Sequence, residues 1–196
     1  MLNQTQYLKL QAVNILNERI EQQVLPLGGL LPPHPITTFA GDLCPVDEYH
    51  QHKPLLLAFM RGSWCPYCRG QVAMLDGMAE TFKAIGCEML VCSRETVEES
   101  RFQAPELTFI SDPDNAFARK LKLCYFAQDE IQAIYEQLKL AQPPEGHWDS
   151  SELAVPATFI IGMDGRIVFK HARRDYTQRA HGSEIIAALR SINNHG

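Results

Sequence analysis

A chain of 196 residues with 45% apolar content, both signs of charge and a net charge of −5 is an ordinary globular chain, long enough to bury one sizeable core. The acidic balance gives no broad electrostatic reason to bind nucleic acid or an anionic membrane, and no apolar run approaches the ~20 residues that a bilayer span requires. Met1 to Thr5 show neither the basic start nor the apolar stretch of a secretory signal, so a cytoplasmic protein is expected, in which six cysteines do not read as a disulfide framework.

Leu8, Val13, Ile15, Leu16, Ile20 and Val24 recur at helical spacing and predict an amphipathic helix over residues 3–24. Its apolar stripe has two possible destinations, the body of this chain or a second copy, in which case the helix is a homodimerisation arm. Pro26, Gly28, Gly29, Pro32, Pro33 and Pro35 predict a linker, dividing the chain into a helix and linker, 1–35, and a main domain, 36–196. Residues 36–53 read as short strands and turns. Residues 54–60, with Leu55, Leu56, Leu57, Ala58 and Phe59, read as a central strand that is apolar on both faces.

A helix over 66–84 with a C-cap at Gly86, followed by a buried strand over Cys87–Cys92, predicts a βαβ unit with a right-handed crossover. Glu95 to Phe102 reads as a short helix stopped before Pro105, and Leu107 to Ile110 as a strand. Ser111-Asp112-Pro113-Asp114 caps a helix through about Leu121. Gln128 to Leu140 is a helical pattern broken by Pro143 and Pro144, inside an insertion over about 122–153. Ala157–Ile161, a turn at Asp164-Gly165 and Ile167–Phe169 make a hairpin. The last helix runs from Ser183 to about Ile192, with Ile185, Ile186 and Leu189 inward. Lys170, Arg173 and Arg174 form a basic cluster, too short for a nucleic-acid tract and expected on the solvated surface.

The chemistry concentrates in Arg61-Gly62-Ser63-Trp64-Cys65-Pro66-Tyr67-Cys68-Arg69-Gly70. A strand leading into this segment and a helix leaving it place Cys65 at a helix N-terminus, where unpaired backbone N–H groups favour a thiolate. Pro66 suits the first helical position because it has no N–H to lose. Cys68, one turn on, lies close enough for a reversible disulfide, so Cys65 is the expected attacking thiol and Cys68 the resolver. Trp64 is expected to shield the sulfur and line a partner groove, and Arg61 or Arg69 to favour the thiolate electrostatically. Cys87 and Cys92 have the odd spacing that sends them to opposite strand faces, as buried thiols. Cys44 and Cys124 are the alternative, distal resolvers. A zinc site would need His50, His52 or Cys44 as further ligands, and no second Cys-x-x-Cys exists, so neither metal nor bound cofactor is expected. Tyr125, Phe126, His147 and Trp148 are candidates for lining a substrate groove or for packing.

Two separated motifs carry a resemblance. Trp64-Cys65-Pro66-Tyr67-Cys68 resembles the redox motif of the thioredoxin superfamily, and Val155-Pro156-Ala157-Thr158-Phe159 with Asp164-Gly165 resembles its cis-proline segment. Cys92-Ser93 and Ser111-Asp112-Pro113-Asp114 resemble the peroxiredoxin branch, the alkyl hydroperoxide reductase and thiol-specific antioxidant family, over residues 36–190. The resemblance implies a thioredoxin-like α/β fold with a central mixed sheet. It also implies a cis Val155–Pro156 bond beside Cys65, with Trp64, Pro66, Arg61, Val155 and Pro156 contacting substrate.

Gly62 and Ala58 stand where such peroxidases carry a hydroxyl residue and a proline, and Pro156 where they carry an arginine. Ser63, one position along, is a conceivable substitute hydroxyl. Phe59 stands where thioredoxins bury an acid. The expected function is thiol–disulfide exchange on a protein or small-molecule disulfide, recharged by a reductant of thioredoxin or glutathione type. The alternatives are a peroxiredoxin-like thiol peroxidase acting on hydroperoxides, and a redox-sensing binding module without turnover.

Overall fold

The computed structural model describes residues 19–126 and 152–193. Most of the predicted helix over 3–24, the helix from Gln128 to Leu140, and His147 and Trp148 lie outside the described residues.

Seven strands form one mixed sheet. In chain order they are β1 (Pro35–Thr38), β2 (Leu43–Pro45), β3 (Leu55–Phe59), β4 (Glu88–Ser93), β5 (Thr108–Ser111), β8 (Ala157–Ile161) and β9 (Ile167–Ala172). Across the sheet the order is β2-β1-β5-β4-β3-β8-β9. The strands β3, β4 and β5 pair in parallel, and β8 pairs antiparallel with both β3 and β9. β6 (Cys124–Phe126) and β7 (Glu152–Ala154) pair separately, within the bounds of the predicted insertion and at its end.

The central strand β3 is buried along its whole length. Leu55, Leu57 and Phe59 enter one apolar cluster, while Leu56, Ala58 and Met60 enter the other, as strand alternation requires. Each fully buried leucine contributes about 2 kcal/mol of transfer free energy. The expected separation of Cys87 and Cys92 follows the same rule, with Cys87 in the second cluster and Cys92 in the first.

Helix α1 (Arg19–Gln23) carries Ile20 and Val24 into the first cluster. It is also tied down by charge. Glu21 accepts from Arg174 N at 2.9 Å and from Arg173 Nη1 at 3.2 Å, and Lys170 Nζ donates to Val24 O at 3.4 Å. The basic cluster expected in solvent therefore anchors the chain that precedes the sheet. The Pro/Gly linker is likewise held, with Leu31 N donating to Gly165 O at 2.8 Å and Ile167 N to Gly29 O at 2.9 Å.

The helix predicted over 66–84 is two helices, α2 (Pro66–Gly77) and α3 (Ala79–Ala84), broken at Met78. The break accommodates a close approach. The last helix, α5 (Gly182–Asn193), begins against Met78, and a Cβ on Gly182 would collide with Met78 Sδ. Residues 95–102 make a single turn, with Ser100 N on Thr96 O at 3.0 Å, rather than the predicted helix. Their hydrogen-bonding groups are used elsewhere, as the site shows. Helix α4 (Ala116–Lys120) is capped as the sequence indicates, since Asp112 accepts from Phe117 N at 3.0 Å and Ala118 N at 2.9 Å.

Candidate active site

The site grows from the end of β3. Met60 N donates to Cys92 O at 2.8 Å, which carries the ladder one residue beyond the strand, and the chain then turns sharply at Gly62. Gly62 has φ +146°, a region that side chains rarely enter. A Cβ there would strike Trp64 Nε1 and come within 3.0 Å of Glu95 Oε1. The glycine that replaces the expected hydroxyl residue is thus required by the path of the loop.

Cys65 is the N-cap of α2, with extended backbone, and Pro66 follows at the first helical position. The Cys65 carbonyl accepts the first helical bond, from Arg69 N at 3.0 Å. Behind the loop stands a residue that no sequence motif nominated. Buried Glu95 accepts from Ser63 N at 2.8 and 2.9 Å and from Ser63 Oγ at 2.8 Å, while Ser63 Oγ accepts from Arg101 N at 2.9 Å. The Ser63 hydroxyl is therefore committed to the scaffold, in place of the substitute role considered for it. Burial raises the Glu95 carboxyl above its ordinary value, against the lowering effect of these donors.

All six cysteines are free thiols, and two of them interact. Cys65 is lowered to about 5, first by a hydrogen bond from the Cys68 thiol, opposed by burial and assisted by Arg61 and Arg179. Cys68 is driven well up, first by burial and then by the proton it shares with Cys65. The two shifts favour a thiolate on Cys65 and a thiol on Cys68. Cys68 Sγ also accepts from Arg61 N at 3.4 Å and from Arg179 Nη2 at 3.6 Å.

Arg61 is buried, with its guanidinium 4.8 Å from the Trp64 ring centre and 4.6 Å from that of Tyr176. Contacts of this kind stabilise a partly desolvated cation by roughly 1–2 kcal/mol each. Arg69 turns away, donating to Ser63 O at 2.9 Å, and of the two arginines flanking the motif it is Arg61 whose charge lowers Cys65. Beside Cys68 a groove of about 630 Å³ runs between α2 and the segment joining β9 to α5. Pro66, Tyr67, Gln71, His171, Arg179 and His181 are among its lining residues. Trp64 is half-buried against the second cluster rather than among the groove residues.

The Val155–Pro156 bond is trans, because no cis peptide occurs among the described residues, and this corrects the cis expectation. The strand β7 pairs with β6 up to Ala154, and β8 pairs with β3 from Ala157, so the chain crosses between two ladders in two residues. A proline at the start of a strand has no N–H to leave unpaired. Val155 and Pro156 are both buried, and Val155 N donates to Leu123 O at 2.9 Å. Because Ala157 pairs with Phe59, Pro156 stands at the sheet end from which the Cys65 loop departs.

Cys44 and Cys124 pack on the first cluster, across the sheet from Cys65 and Cys68 in the second, so neither is placed as a distal resolver. Cys44 and His52 border a different groove, with Glu48, Tyr49, Lys53 and Glu88. Among the described residues no group of three or more metal-ligating side chains gathers. Tyr125 is half-buried against the first cluster and Phe126 is exposed, so neither reaches the groove beside Cys68. The residues that sequence reasoning missed, Glu95, Tyr176 and Arg179, are brought in by elements distant in the chain and carry no local spacing signal.

The profile of the AhpC/TSA family matches residues 35–170. Among curated protein sequences none matches. Solved structures do. The peroxidoxin BcpB of Mycobacterium tuberculosis superposes with a TM-score of 0.62 at 16% identity, covering 86% of this chain and 98% of that one. The reduced 2-Cys peroxiredoxin of Plasmodium vivax gives 0.64 at 15% identity, covering 86% and 82%. A cysteine-to-serine mutant of the peroxiredoxin 6 of Arenicola marina gives 0.66 at 17%, covering 86% and 74%. The fold is thioredoxin-like. None of the described helices is long and apolar enough to cross a membrane.

Proposed function

This chain belongs to the AhpC/TSA family and is a thiol-dependent oxidoreductase, and from that premise we propose that it works by thiol–disulfide exchange through Cys65 and Cys68. The observation that carries the reading is the geometry of the pair, Cys65 at the N-cap of α2 and Cys68 wholly buried one turn behind it with Arg61 N and Arg179 Nη2 on its sulfur, a setting that lowers the Cys65 thiol and raises Cys68. The Cys65 thiolate attacks one sulfur of a substrate disulfide, the S–S bond breaks, and the departing thiolate leaves with the electron pair. Cys68 then loses its proton and attacks Cys65 Sγ, forming the internal disulfide and releasing the second substrate thiol. Two electrons pass from protein to substrate, and no bound cofactor is needed. A reductant of thioredoxin or glutathione type restores the dithiol, and the cytoplasm is the setting that suits such a cycle.

A second reading is favoured by the family match itself. The same thiolate attacks a hydroperoxide, the O–O bond breaks with release of an alcohol, and the sulfenic acid on Cys65 condenses with Cys68, losing water. Disulfide exchange is preferred because Gly62 offers no hydroxyl and Ser63 has given its own to Glu95, so no side-chain hydroxyl from this turn is available to orient a peroxide. Stopped-flow oxidation of the reduced protein by a disulfide and by hydrogen peroxide separates the two. The disulfide is expected to react faster, and Cys68→Ser, not Cys65→Ser, to accumulate mixed disulfides. Faster reaction with peroxide, with sulfenic acid trapped in Cys68→Ser, would transfer the assignment to the peroxidase.

A further inference from the structure

We propose that Arg179 is a catalytic residue of the second half-reaction, its guanidinium stabilising the Cys68 thiolate while that sulfur attacks the mixed disulfide on Cys65. The inference rests on the exchange reading above and concerns a different atom from the one that begins it. Cys68 Sγ is wholly buried, and in the dithiol state it keeps its proton and donates it in a hydrogen bond to Cys65. Once Cys65 is bonded to substrate, that acceptor has lost its charge. Cys68 must then ionise in an apolar surrounding, a costly change unless a donor or cation compensates it.

Two groups are in place to do so. The Arg61 backbone N–H, at 3.4 Å, is a neutral dipole. The Arg179 Nη2, at 3.6 Å, belongs to a group that keeps its charge throughout the reaction. The Arg179 fork is divided between two tasks. Nη1 donates to Tyr176 O and, at 3.0 Å, to Gln178 O, which fixes the side chain to its own loop. Nη2 is left directed at the sulfur. The Nε is buried with no hydrogen-bond acceptor among the described residues, so part of the cation is out of water, where its attraction for a thiolate is least screened. His171, on the same groove, is lowered chiefly by burial and so supplies no second cation.

In the step proposed, the proton of Cys68 passes to solvent or to the departing thiolate. The Cys68 lone pair forms the bond to Cys65 Sγ, the bond from Cys65 to the substrate sulfur breaks, and the substrate sulfur keeps that pair. Arg179 holds the negative charge on Cys68 until it is spread across the three sulfurs.

A symmetrical nitrobenzoate disulfide tests this, because each half-reaction releases one coloured thiolate. The reduced full-length protein should give two phases in stopped-flow absorbance, the first from attack by Cys65 and the second from resolution by Cys68. Arg179→Gln retains donors for the two carbonyls but removes the charge. Because Arg179 is only the last of the influences that lower Cys65, its loss is expected to slow the first phase by up to about threefold, and to slow the second, in which it is the cation on the reacting sulfur, by about tenfold or more, the scale of one charge-assisted hydrogen bond. Arg179→Lys should recover most of the loss, and circular dichroism of each variant should match the parent. An unchanged second phase in Arg179→Gln would overturn the proposal, as would equal slowing of both phases or no rescue by lysine. Release of only one equivalent by the parent protein would instead overturn the exchange reading itself, since Cys68 would then not resolve at all.

Discussion

Gly62 illustrates how one atom restricts the chemistry available at this site. Its φ of +146° and the collision that a Cβ would make with Trp64 exclude every larger residue without movement of the loop. Gly62→Thr, which restores the hydroxyl of a peroxide site, is expected to destabilise the fold by about 1–3 kcal/mol rather than to confer peroxidase activity. Urea denaturation and a peroxide turnover assay on the same sample measure both. Cys65 yields a second expectation at this scale. With its thiol lowered to about 5, alkylation by iodoacetamide should rise with pH through that value and then level off, where an ordinary thiol would still be climbing near pH 9. By linkage the same depression adds stability that is complete above the unfolded thiol's value and is lost as pH falls through about 5.

At the scale of elements, the α2 N-terminus depends on a segment that periodicity misassigned. Residues 95–102 carry a helical pattern, yet Glu95 spends its carboxylate on Ser63 and Arg101 spends its N–H on Ser63 Oγ. Glu95→Ala would leave the buried Ser63 N–H without its acceptor and is expected to cost about 2–3 kcal/mol. It should also slow attack by Cys65, which alkylation kinetics would detect. Asp112 is the opposite case, since its capping role was legible from Ser111-Asp112-Pro113-Asp114 ahead of an apolar run. Its loss in Asp112→Ala should cost about 1–2 kcal/mol in the same denaturation experiment and leave the thiol chemistry unchanged.

The difference between these two cases is distance along the chain. Caps, the β3 run and the Cys65–Cys68 spacing are local patterns, and each leaves a trace in neighbouring residues. Glu95, Tyr176 and Arg179 reach the site only through tertiary contacts formed 32 to 115 positions away, which no window of sequence contains. The Val155–Pro156 bond is trans rather than cis for a related reason, since a motif shared with a superfamily does not fix how this chain crosses from the β6–β7 ladder to the main sheet.

For the molecule as a whole, the sheet sorts the cysteines. Cys65, Cys68 and Cys87 lie on one face, with Cys44, Cys92 and Cys124 packed on the other. Burial pushes Cys87 and Cys124 up to about 12 and Cys92 well up, so none of these competes as a thiolate near neutral pH. Mild oxidation should therefore join Cys65 to Cys68 alone, leaving four thiols that alkylate after unfolding, as peptide mass mapping would show. Cys44→Ser and Cys124→Ser should retain full disulfide turnover. A bridge from Cys65 to either residue would require the sheet to open.

The hydrogen bond that Cys68 gives to Cys65 exists only while both sulfurs are reduced. Its stabilisation, together with that from Arg61, belongs to one member of the redox couple and vanishes when the disulfide closes. The midpoint potential is accordingly drawn toward less negative values than an unperturbed vicinal pair would show. In the proposed cycle, electrons from a reducing partner are then accepted readily and pass on only to a substrate couple of still less negative potential. Equilibration against graded ratios of reduced and oxidised glutathione would place it on the oxidising side of the thioredoxin-type couples, with Arg61→Met moving it back.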